Sequence, residues 1–196
     1  MKKKFWLVII VAVLIGGGVY AGVYLTTRPS GPAVGLALKA SDLASGWKAG
    51  SFYSLYEGRT ISQQFSKTIQ VEDNIQLRMA VYQTISVYRS TEAAIEDTHL
   101  SGARQSSPEP MDMPFWDEAY GTCPVTDTGI ILRKSNIVVI LYYEHFLFPT
   151  DPVMQMEGIP SKKEAEIDSQ QKAVMWSFLC DLAPAIQGKI IATSGG

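Results

Sequence analysis

The sequence predicts an α+β fold: an antiparallel sheet of about five to six strands covered by helices, preceded by one N-terminal transmembrane helix. Three observations carry this. An uncharged run, Phe5 to Leu25, follows Lys2, Lys3 and Lys4. Apolar Ile75, Leu77, Met79 and Val81 alternate with Gln76, Arg78, Ala80 and Tyr82. Helix-start signals at Ser90-Thr91-Glu92 and Ser161-Lys162-Lys163-Glu164 interrupt the strand-like stretches.

The first element is the N-terminal run. At about 1.5 Å of rise per residue it spans roughly 31 Å as a helix, close to the hydrocarbon thickness of a bilayer. Trp6 near one end, and Tyr20 and Tyr24 near the other, suit the interfaces. The lysines place the start of the chain in the cytoplasm, so the expected location is the cell membrane, single-pass, with an extracytoplasmic C-terminal domain. The alternative is a signal peptide cleaved near Ala21, after Val19-Tyr20-Ala21. The organisation that follows is an anchor at 1–25, a Pro/Gly/Ser linker at 26–35, one domain at 36–190 and a flexible tail at 191–196.

About 165 residues beyond the anchor suffice for one real core and no second domain. Outside the three cytoplasmic lysines stand 14 basic and 19 acidic residues, a net of −5. That argues against nucleic acid as a partner. The two cysteines, Cys123 and Cys180, are both placed outside the cytoplasm, where an even count predicts a disulfide. Closing a loop of nearly 60 residues, the bond would contribute roughly 4 kcal/mol. Two buried free thiols are the alternative.

Along the domain, Leu36 to Leu43 reads as a short helix, and Trp47 as a buried plug. Strands are expected at Gly50 to Tyr56, Thr60 to Val71 and Ile75 to Tyr88. A helix from Thr91 ends at Gly102, and a proline-rich loop, Ser106 to Pro114, follows it. Strands return at Glu118 to Thr122, Thr128 to Lys134 and Asn136 to Phe148, the last two joined by a tight hairpin. Ile137 to Leu141 is apolar throughout, as a central strand covered on both faces would be. The final helix carries Ile167, Val174, Phe178 and Leu182 toward the sheet.

Candidate chemistry is sparse. Asp127-Thr128-Gly129 copies the aspartic-protease triplet, but that chemistry needs two aspartates and the sequence holds one copy. Adjacent Asp117 and Glu118 face opposite ways in a strand and form no acid pair. Met111, Met113, Met154 and Met156 form two M-x-M pairs in the long loops, a soft-donor set that suits Cu(I) if the loops converge; methionines that plug loops against the core are the alternative. Phe115, Trp116, Tyr142 and Tyr143 either line an apolar ligand pocket or pack the core. No cofactor motif is present.

Four short segments resemble a loose group of secreted and membrane-anchored domains: Asp42-Leu43-Ala44-Ser45-Gly46-Trp47, Val87-Tyr88-Arg89-Ser90, Asp117-Glu118-Ala119, and Arg133-Lys134-Ser135-Asn136-Ile137-Val138-Val139. The group comprises PsbP-like α-β-α sandwiches and extracellular sensor-type domains of serine/threonine kinases. The resemblance implies an α-β-α sandwich and a binding or sensing role without shared catalysis. The resulting expectation is a membrane-anchored, non-catalytic module for a protein or small-molecule partner. The alternatives are an extracytoplasmic hydrolase and a Cu(I)-handling protein.

Overall fold

Period-two alternation builds most of the chain into one sheet. A computed structural model describes residues 31–103, 108–122 and 128–194. Its strands are β1 (Lys48–Leu55), β2 (Thr60–Glu72), β3 (Ile75–Val87), β4 (Glu109–Pro110), β5 (Glu118–Thr122), β6 (Thr128–Lys134) and β7 (Ile137–Pro149). They form a 7-stranded sheet in the order β1-β2-β3-β7-β6-β5-β4. Every neighbouring pair is antiparallel. The count exceeds the expected five to six because Glu109-Pro110, inside the proline-rich loop, pairs with Tyr120 and Gly121. Two residues, one of them a proline without an N–H, leave no signal of alternation.

The pleat gives the sheet two unlike faces. Leu77, Val81 and Ile85 of β3 stand opposite Leu147, Tyr143 and Val139 of β7 on the core face. That face is covered by the segment Ala33 to Trp47 and by the long C-terminal helix, which packs on β6 and β7. In place of one helix at Leu36 to Leu43, the segment forms two 3-10 turns, Val34–Leu36 and Ala40–Asp42. Gln83 pins it: fully buried, its Oε1 accepts the Leu38 N–H at 3.0 Å. Trp47 is buried as expected, stacked on Phe178 with centroids 5.2 Å apart.

The helices are α1 (Thr91–Ala103), α2 (Pro152–Glu157) and α3 (Ser161–Ser194). Asp151 caps α2 by accepting from the N–H groups of Val153 and Met154. At the start of α3 the Pro160 carbonyl accepts the Lys163 and Glu164 N–H groups, one residue earlier than the expected cap. α3 buries Ile167, Met175, Leu179, Leu182, Ala183, Ile186 and Ile190, while Val174 points outward, 60% exposed. Further ties are an ion pair between Lys163 and Glu72, and His145 Nε2 at 2.8 Å from Asp168 Oδ1. α1 lies on the opposite face of the sheet, where Ala94 meets Ile131 and Val138.

The expected transmembrane helix is corrected. Residues 1–25 lie outside the described residues, and among the described residues no helix is long and apolar enough to cross a membrane. The longest, α3, interrupts its apolar positions with Lys162, Lys163, Glu164, Glu166, Asp168 and Lys172. A membrane partner for residues 5–25 and a single-pass placement in the cell membrane therefore have no support in the structure.

Candidate binding face

α1 covers only part of its face of the sheet, over β6 and β7. Among the described residues no helix packs closely on β1, β2 or β3, while α2 also meets β7. Register lays out what stands there. Thr60, Ser62, Gln64, Ser66 and Thr68 of β2 lie opposite Ser86, Thr84, Tyr82, Ala80 and Arg78 of β3. Tyr82, Ala80, Arg78 and Gln76 in turn lie opposite Tyr142, Glu144, Phe146 and Phe148 of β7. β6 pairs no further along β7 than Tyr143, so Phe146 and Phe148 stand beyond its end. They are 50% and 46% exposed.

At the centre, the Tyr82 and Tyr142 rings sit 5.9 Å apart at a tilt of 41°. Gln64 Nε2 donates to the Tyr82 hydroxyl at 3.1 Å, and the Tyr142 hydroxyl donates to Glu144 at 3.2 Å. Burial, and then the hydrogen bond and charge of Glu144, push the Tyr82 hydroxyl above its ordinary pKa, so it stays protonated. Hydroxyl pairs Thr60–Ser86 and Thr84–Ser62 flank the rings. The result is a row of aromatic rings beside amide, hydroxyl and carboxylate groups, with little charge and a fixed orientation.

A second polar cluster lies where β5 begins. Arg133 is nearly buried and forks onto Glu118 Oε1, from Nε at 3.0 Å and Nη2 at 2.7 Å. Its Nη1 reaches Asp117 at 3.3 Å. Asp117 and Glu118 therefore share one guanidinium, contrary to the expectation that they face apart; Asp117 precedes the strand and escapes its alternation. Lys134 at 2.8 Å and the Ser135 N–H at 2.6 Å complete Asp117 and hold its carboxyl below the ordinary range. His99 of α1 meets Glu118 at 3.2 Å. Each carboxylate of this cluster is occupied, so the cluster reads as a clamp joining α1, β5 and β6.

The four aromatics expected to line one pocket do not converge. Phe115 and Trp116 pack edge to face at 5.2 Å, with Lys134 5.1 Å above the Phe115 ring. Trp116 is buried. Tyr142 belongs to the open face, but Tyr143, the next residue, points into the core and stacks on His145. Among the described residues Tyr143's hydroxyl finds no hydrogen-bond partner. Of the four, only Tyr142 joins the candidate face. Its other members, Tyr82, Gln64, Glu144, Phe146 and Phe148, escaped the sequence reading. Their signal is the alternation itself, once β3 and β7 are set side by side.

The methionine pairs do not converge either, which corrects the Cu(I) expectation. Met111 and Met113 line a cleft of about 320 Å³ with Trp116, Asp117, Glu118 and Tyr120. Met154 lines another, with Glu72, Asp73, Asn74 and Lys163. The two clefts share no lining residue. Met156 is 89% exposed. Among the described residues no group of three or more His, Cys, Asp or Glu side chains could hold a metal ion. The disulfide is corrected as well: Cys180 carries a free thiol. Burial, and then Asp181, push that thiol's pKa up. Cys123 and Asp127 lie outside the described residues.

Comparison with protein-family models, curated proteins and solved structures finds no match. The resemblance to PsbP-like and kinase-sensor domains is therefore not upheld. Its four short segments fall on ordinary structural duties, such as the Trp47 plug, the Asp117 clamp and the Ser135 hairpin. What the fold and the site define is an α+β domain with a half-open antiparallel sheet. Among the described residues nothing supports the expected membrane-anchored sensing module, its hydrolase alternative or its copper alternative.

Proposed function

We propose that this domain binds a neutral, hydroxyl-rich ligand of the oligosaccharide class on its open sheet face. The observation that carries the reading is the row Tyr82, Tyr142, Phe146 and Phe148, set among Ser62, Gln64, Thr84 and Glu144 on the part of the face that α1 leaves open among the described residues. An aromatic face is electron-rich and attracts the weakly positive C–H edges of a sugar ring. Glu144, Gln64 and Arg78 supply acceptors and donors for hydroxyls. A net charge of −2, with Arg78 as the one cation in these rows of β3 and β7, disfavours nucleic acid. The ordered network around Tyr82 keeps the side chains in place before a ligand arrives, which lowers the entropic cost of binding.

Calorimetric titration of the full-length chain with cello-, chito- and manno-oligosaccharides tests the reading. Saturable binding to at least one series is expected. Tyr142→Ala and Phe146→Ala should each weaken it roughly three- to tenfold. No heat with any series, or affinity indifferent to both substitutions, would remove oligosaccharides as the ligand class.

A further inference from the structure

The two edges of the sheet are unlike. β4, at one edge, has two residues, Glu109 and Pro110. A short strand with a charge and a proline resists pairing with another chain. β1, at the other edge, has eight residues, KAGSFYSL, all exposed except the half-buried Phe52. From Ala49 to Leu55 it carries no charge and no proline. A bulge between Ala49 and Phe52 twists its first half away from regular pairing, but Phe52 to Leu55 runs regularly against β2. Along this regular half, Tyr53 is 62% and Leu55 55% exposed. An open strand of this composition is a template for another strand.

We infer that β1 pairs antiparallel with β1 of a second copy, about a two-fold axis at Tyr53, to join two sheets into one. Three features single out a second copy as the occupant. Antiparallel pairing about a two-fold is self-complementary, so one strand supplies both halves of the contact. With Tyr53 opposite itself, Phe52 meets Ser54 and Ser51, at the edge of the bulge, faces Leu55, and no like charges face each other within this stretch. The opposite edge is blunted, so the assembly closes at two and does not grow into a ladder. This contact rests on the edge strand and is independent of the oligosaccharide reading. It has a consequence for that face, however: a two-fold perpendicular to the sheet turns both open faces to the same side.

Only five residues a side pair along this edge, so the interface is smaller than ~1,200 Å² and the dimer is weak and concentration-dependent, on the order of micromolar. Sedimentation equilibrium of the full-length chain should show a reversible monomer–dimer exchange with no larger species. Tyr53→Lys places two ammonium groups across the axis and should raise the dimer Kd by on the order of tenfold or more, with the circular dichroism unchanged. Tyr53→Phe should leave it unaltered. In a background with Cys123→Ser and Cys180→Ser, Tyr53→Cys should cross-link the dimer under mild oxidation, because directly opposed strand residues have Cα atoms about 4.5–5.5 Å apart. A monomer at a hundredfold above the micromolar range overturns the inference. A dimer indifferent to Tyr53→Lys, or an open polymer, does so equally. Dimerisation without a Tyr53→Cys cross-link overturns the Tyr53-centred register.

Discussion

At the residue scale the most consequential side chain is Arg133. Its side chain is 8% exposed and that of its partner Glu118 19%. Taking both charges from water is costly, and two charged hydrogen bonds from the guanidinium onto one Glu118 oxygen offset that cost. Removing one partner leaves the other charge stranded. Arg133→Met should therefore lower unfolding stability by about 3 kcal/mol, read from urea titration. The double variant Arg133→Met/Glu118→Leu should recover most of that loss, because neither charge then remains unpaired. A double variant as unstable as the single one would show that the clamp acts through packing of the arginine stem and not through charge. Gly121 stands nearby under a related constraint: a Cβ there would lie 2.1 Å from the Trp176 ring, so the helix packs onto bare backbone. The sequence announced Arg133 only as part of a hairpin. Its partners come from a different strand, and no local pattern reports that.

At the scale of elements, β1 and β2 meet in a strained turn. Tyr56 and Glu57 have φ of 51° and 57°, and Gly58 follows at 76°. Left-handed backbone costs a non-glycine residue roughly 1 kcal/mol or more. Tyr56 is 77% exposed, so its ring returns little packing. Replacing Tyr56-Glu57 with Asn-Gly, the pair suited to two successive positive φ values, should raise stability by about 1 kcal/mol in a denaturant titration. An unchanged midpoint would mean the turn relaxes in solution. Elements like these were largely legible in the sequence. The limits of β6 follow from its β-branched residues, and β3 follows from its alternation. The helix start at Thr91 follows from its cap Ser90, while the capping signal at Ser161 falls one residue late. The sequence concealed β4, too short to alternate, and the outward turn of Val174, where Met175 takes the buried position. It also concealed the candidate face. Tyr82 and Tyr142 are 60 positions apart in the chain and become neighbours only through the β3–β7 register. Tyr142 and Tyr143, adjacent in the chain, part to opposite faces for the same reason.

At the scale of the molecule, two carboxylates tie distant parts of the fold together and set its response to acid. Asp42, near the start of the described domain, accepts the Lys39 N–H at 2.8 Å and pairs with Lys189 of α3 at 3.0 Å. Burial alone would raise its pKa; the Lys39 N–H and then Lys189 outweigh burial and lower it. Asp117 is lowered by its bond to Lys134 and then by the Ser135 N–H. Both folded-state values therefore lie beneath the ordinary 3.8 of the unfolded chain. Between the unfolded and the folded pKa, the unfolded state holds a proton that the native state does not, so stability falls as pH falls. Below the folded value both states are protonated and the contribution is gone. These two groups thus contribute their full stabilisation above about pH 4 and lose it progressively below. The double variant Asp42→Asn/Asp117→Asn should be less stable than the parent at pH 7 and should show a shallower decline between pH 4 and pH 2, measured as urea midpoints across the range. Parallel acid profiles for parent and variant would place the acid response in other carboxylates and leave these two as geometric ties alone.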